Sequence, residues 1–199
     1  MNTQPQIPAL FSDRLRAATH STHEKLDQSI MAKDPFASLT SYGRFLQVQH
    51  GIHRDVEPLY HWSALSHIFS NLHKSSRFAA VEQDLADLGL QPPLYTVVPA
   101  TETLVAQHDI PEALGWLYVV EGSSLGAAFL LKLAKNMGLS ESHGAAHMAT
   151  PAKGRAPHWK SFKTTLNALP MSQEDEARAI TAAEAAFSRV RQLVQHHLC

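Results

Sequence analysis

LGWLYVVEGSSLGAAFL, residues 114–130, reads as part of one long apolar helix with Gly122 and Gly126 four residues apart. Each glycine costs roughly 1 kcal/mol relative to Ala in a helix interior. Four residues make about one turn, so both fall on one face and leave more than a turn of backbone bare. Three arrangements account for such a face. A membrane span can dimerise through G-x-x-x-G, a second helix can pack very closely, or a flat ligand can lie against the backbone. Glu121, in the middle of the stretch, is expensive in lipid and argues against the span. On this stretch alone, close packing and the flat ligand both stand.

Working outward, the helix that carries these glycines opens at Asp109, with Pro111 in its first turn and Glu112 three residues after the cap, a pattern similar to a capping box. It is expected to run unbroken to about Met137 and to stop at Gly138, roughly 40 Å in all. Before it, Phe11, Leu15, Ala18, Thr22, Leu26 and Ile30 step by three or four and mark a first helix ending before Asp34-Pro35. Tyr42, Phe45, Leu46, Ile52, Val56 and Leu59 mark a second, with Thr40 or Ser41 as its cap and Pro58 near its end. A third covers about 77–88 and stops at Gly89, followed by the proline-rich connection LQPPLYTVVPAT. After KGRAPHW (153–159), a turn into a short helix, Ser172 caps a final helix with Ile180, Ala183, Phe187, Val190 and Val194 on one face. Strand signals are nearly absent. The expectation is an all-α chain forming a single domain over 1–199, with residues 1–8 flexible.

Composition narrows the partners. Lys+Arg is 17 against 18 Asp+Glu, a net charge of −1, so neither nucleic acid nor an anionic membrane surface is an expected partner. The single cysteine, Cys199, cannot form an internal disulfide, and the N-terminal residues show no signal peptide. Both point to the cytoplasm. Thirteen histidines are many for this length, which directs attention to metal ligation and proton handling.

A flat ligand needs an anchor, and ATHSTHEKLD (18–27) offers one. His20 and His23 are about 60° apart around the helix. Asp27 follows His23 by one turn on the same face, where a carboxylate can take the second ring N–H of a ligating histidine. Arg16 precedes His23 by two turns, on nearly that face, and can reach acidic groups at the ligand's edge. Di-iron bundles require Glu-x-x-His, which is missing, as are H-E-x-x-H and any cysteine pair. One histidine over a flat bare surface suggests haem rather than zinc or a di-metal centre. Gln49 and His53 also fall on the apolar stripe of the second helix. Buried polar groups must be hydrogen-bonded, so they are either a satisfied core pair or the holders of ordered water in a cavity.

With these residues in hand, the chain resembles the bacterial haem oxygenases. ATHSTHEKLD, KDPFAS, LGWLYVVEGSSLGAAFL and GRAPHWKSF carry the resemblance. It implies haem between a proximal helix and a kinked distal helix. His23 matches the proximal iron ligand, and Asp27 its acidic partner. Gly122 and Gly126 match the glycines that let the distal backbone approach iron-bound O2. Arg16 and Tyr118 match residues that hold the haem propionates, and Gln49, His53 and Trp159 match a distal water network. Animal members carry Asp after the first distal glycine where this chain has Ser123, so the water-ordering role passes to Gln49 and His53. The implied reaction uses O2 and electrons from an external reductase or ferredoxin to open haem to biliverdin, CO and Fe2+. Arg16, together with Met31 and Leu133 where β- and δ-cleaving members use lysines, implies the α isomer. Two alternatives are a haem carrier or storage protein of the same fold without turnover, and a thiaminase-like enzyme. The second needs a buried thiol, and the only thiol here is at the chain end.

Overall fold

The computed structural model describes residues 10–198; the expected flexibility of residues 1–8 lies outside them. Among the described residues nine α-helices carry the fold: α1 (Phe11–Met31), α2 (Leu39–His61), α3 (Ser63–Ile68), α4 (Phe78–Asp87), α5 (Glu102–Ala106), α6 (Ile110–Ser123), α7 (Ala127–Asn136), α8 (Arg155–Asn167) and α9 (Gln173–His197). No strand occurs among the described residues, as expected of an all-α chain. The helix limits follow from local chemistry. The Ser172 hydroxyl accepts from the Asp175 N–H, the Asp175 carboxylate accepts from the Ser172 N–H, and the two close a capping box at the start of α9. Asp109 accepts from the Glu112 N–H at α6. Gly138 follows α7 at φ +83°, where a side chain would be strained. The cap of α2 is Ser38, not Thr40 or Ser41: its hydroxyl accepts from the Ser41 N–H.

The helix over 109–137, unbroken by its periodicity, is kinked as the resemblance implies: it divides into α6 and α7, whose axes differ by 43°. Across the break the N–H groups bond three residues back, Leu125 to Gly122 O and Gly126 to Ser123 O. The Ser123 and Ser124 hydroxyls donate to Val120 O and Glu121 O at 2.7 Å each. Such back-bonding competes with the helical ladder and bends it. Among the described residues no single helix is long and apolar enough to cross a membrane; the bent pair reaches that length and composition only jointly. Every residue from Ala113 to Glu121 is buried inside the protein.

α9 is the common support. α6 packs on it most extensively, and α1 and α2 rest on it as well. Gly115 marks the tightest point: a Cβ there would lie 2.1 Å from Ala179 O and 2.8 Å from Ala183 N. The two backbones meet over Ala179, Ala182, Ala183 and Ala186, all buried. α8 ties back to α1 where Asn167 accepts from the Ser12 N–H and donates to its hydroxyl. Leu15, Tyr42, Phe45, Leu46 and Leu117 fill the interior, each no more than 1% exposed. At about 1.5–3 kcal/mol apiece, such side chains dominate the stabilising side of the balance. α1 and α7 share no extensive interface.

Candidate active site

α1 carries His23 and Asp27. His23 is half exposed, with Nδ1 3.5 Å from Asp27 Oδ2, within ion-pair reach. Its ring meets Phe187 of α9 edge-on, with centroids 5.8 Å apart. His20 differs: its Nε2 lies 3.4 Å from Glu24. Two turns before His23, Arg16 is exposed on α1. Its charge acts on the Tyr118 hydroxyl of α6, whose pKa burial raises and Arg16 lowers. The two helices thus bring the Arg16 charge within electrostatic reach of Tyr118.

The glycines lie at the break between α6 and α7. Gly126 sits at φ −69° and ψ −23°, ordinary helical values, so its missing side chain serves clearance rather than backbone geometry. A Cβ there would meet only Ser123 O, at 3.6 Å. Gly122 differs from the sequence-based picture of one bare face: its Cβ position points at the Trp159 indole, 3.4 Å away. Trp159 in turn lies 5.3 Å from the Tyr118 ring and stacks on Phe162. Trp159 therefore backs Gly122. Ser123 spends its hydroxyl proton on Val120 O and retains only acceptor capacity.

Behind the break lies a cavity of about 750 Å³. Gln49, His53, Ser123, Glu121, His147 and His158 are on its lining, whereas Trp159 is not. His53 is buried, and its Nδ1 has no partner among the described residues. Burial, followed by the charges of His147, Arg77 and His50, pushes its pKa down to about 3. It is a neutral imidazole with one unsatisfied nitrogen at a polar cavity, the setting in which ordered water is retained.

Residues not anticipated from the sequence hold the break in place. Glu121, 5% exposed, accepts from Tyr60 of α2 at 2.7 Å and pairs with His158 Nε2 of α8 at 2.6 Å. The bond to Glu121 raises the His158 pKa against the opposing effect of burial. Arg155 donates from Nη1 to Ser124 O, a carbonyl at the break, and from Nη2 to Met148 O. A signal existed: a carboxylate inside an apolar helix requires a buried partner, and GRAPHW supplies Arg155 and His158 three residues apart.

This arrangement agrees with three sets of relatives. The heme oxygenase family model matches residues 9–196. Heme oxygenase PigA from Pseudomonas aeruginosa is 42% identical over 188 residues, covering 94% of this chain and 92% of the relative. A solved haem oxygenase from Neisseria meningitidis, described with NO and CO bound, superposes with a TM-score of 0.88 at 36% identity, covering 95% of this chain and 92% of that one. Heme oxygenase-1 from Synechocystis, solved in complex with haem, shares the fold with a TM-score of 0.74 at 18% identity, over 94% and 92% of the two chains. The α1 histidine, the broken glycine helix and these matches over nearly the whole length place the chain in the haem oxygenase family, oxidoreductases that degrade haem.

Proposed function

We propose that this chain binds haem in the cleft between α1 and the α6–α7 break and degrades it, with O2 and electrons from an external reductase or ferredoxin, to biliverdin, CO and Fe2+. The observations that support the reading are the exposed His23 beside Asp27 on α1 and the unobstructed backbone at Gly126 beside the helix break. The haem iron supplies the oxygen activation. The protein's residues bind, orient and manage protons. His23 ligates through Nε2 while Asp27 holds Nδ1. Arg16 and Tyr118 seat the propionates at the cleft edge, where a guanidinium can grip a carboxylate with two parallel bonds. Gly126 leaves room for a ligand on the iron, and Trp159 supports Gly122 from behind. Gln49 and neutral His53 hold water in the cavity, and that water delivers protons. A carrier of the same fold would have no use for such a cavity.

The test is direct. Hemin mixed with the protein and a reductant in air should lose its haem spectrum and yield a bilin. His23→Ala should abolish this conversion, and added imidazole should restore part of it. Stable ferrous haem in air would indicate a carrier. Normal turnover in His23→Ala, with loss in His20→Ala, would assign the wrong histidine.

A further inference from the structure

The inner part of the cavity behind the break is the buried end, with His53, Tyr60, Glu121 and His147. Its outer part has a different chemistry. Lys74, Arg77, Lys153 and Arg155 all line it, with Lys74 and Lys153 exposed at the mouth and Arg77 and Arg155 half-buried. The nearby carboxylates do not neutralise Arg77. Both oxygens of Glu121 are taken, by Tyr60 and His158. Glu141 accepts from the Thr150 N–H and faces Lys135. Asp84, buried behind His147, is held by that ring and by the N–H groups of Ala146 and His147. The Arg77 guanidinium forms no hydrogen bond or ion pair among the described residues, yet its charge acts on His53, Tyr60, Arg155 and His158. A half-buried guanidinium without an acceptor, beside a second one and two lysines, is a concentrated positive field in a concave site. Such a site attracts anions, and a guanidinium matches the geometry of an oxyanion.

We propose that the mouth of this cavity is a binding site for a small oxyanion, a phosphate or a carboxylate, held by Arg77 with Lys74 and Lys153 and screened from the helix break by Arg155. The cavity's lining includes neither His23 nor Gly126, so anion binding at its mouth is expected both with and without haem. Because Arg155 bonds Ser124 O and His158 bonds Glu121, an anion there bears on the same two contacts that support the break. Any ligand that binds only the folded chain also stabilises it.

Inorganic phosphate titrated into the full chain, with and without haem, tests this by calorimetry and by thermal denaturation at ionic strength held constant with chloride. The expected result is saturable, one-to-one phosphate binding and a matching rise in melting temperature. Arg77→Gln should weaken the affinity by roughly tenfold or more, as loss of a charged hydrogen bond does. Arg44→Gln, an exposed cation of α2 outside the cavity, should leave it unchanged. If Arg77→Gln does not fold, the double variant Lys74→Gln with Lys153→Gln, both exposed, should show a several-fold loss. Competition by acetate would establish the carboxylate as a ligand, whereas phosphate binding without it would assign the site to phosphate. A response that follows ionic strength alone, or unaltered phosphate affinity in the cavity variants, would overturn the proposal.

Discussion

At Gly115 an added Cβ would sit 2.1 Å from a carbonyl oxygen of α9, whereas at Gly126 it would meet only Ser123 O of its own turn, at 3.6 Å. Both glycines belong to the same apolar stretch and would share a face of a continuous helix. The first lies in a segment buried on all sides and is a spacer between two backbones. The second lies past the break, where Leu125 and Phe129 are 43% and 58% exposed, and is bare. A glycine in an apolar helix thus signals close approach without saying to what. The element opposite decides whether the clearance is spent on packing or kept for a ligand.

The largest expected effect falls on the packed half. Gly115→Ala should force α6 away from α9, with a stability loss of about 3 kcal/mol or more, at the upper end of overpacking costs. Chemical denaturation measures it, and a variant as stable as the original would end the distinction between the two halves. Gly126→Leu should leave the fold and haem binding intact, because nothing near it is displaced, while turnover falls by tenfold or more, equivalent to ~1.4 kcal/mol in the barrier. Biliverdin formation at the unaltered rate would show that the open face is not the reacting one.

A smaller effect concerns protons behind the break. His53 and His50 are held neutral by burial, at pKa values of about 3 and 4. Their folded values lie below the unfolded value of about 6.5. The stability they allow is therefore complete above that pH and is lost as pH falls from there towards the folded values. His158 has the opposite sign: its raised pKa contributes stability below the unfolded value, lost as pH rises through the folded one. Denaturation midpoints from pH 7 to 4 should fall steeply in the original chain and less steeply in His53→Gln. Equal slopes would mean that His53 is not the neutral group at the cavity. The smallest effect is on selectivity. The original chain should release mainly α-biliverdin, and Arg16→Gln should spread the product over other isomers with little change in total rate. Chromatography against the four isomers measures this, and an unchanged pattern in Arg16→Gln would release Arg16 from the propionates.

What was legible along the chain was whatever depends on residues within a turn of each other. His23 and Asp27 share a face because they are four apart, and Ser172 and Asp175 cap α9 because they are three apart. Short helices such as α3 and α5 carry too few turns to establish a period, and they escaped the reading. The kink of the distal helix was implied by the resemblance, but helical periodicity did not locate it, because the cause of the break at 124–126 lies partly outside the segment. Ser123 and Ser124 bend the ladder locally, but Arg155 holds the carbonyl of Ser124 from 31 residues away.

The sequence by itself determined the helical periods, the caps of α6 and α9, the shared face of His23 and Asp27, and the resemblance to the haem oxygenases. All are properties of spacing, and an α-helix converts spacing into geometry directly. Tertiary structure alone decided that Gly115 touches α9, that Gly122 is backed by Trp159 while Gly126 is open, and that Glu121 finds Tyr60 and His158 at separations of 61 and 37 residues. The direction in which a side chain leaves its helix is local, but what it meets there depends on how all the helices pack, and no short stretch of the chain encodes that.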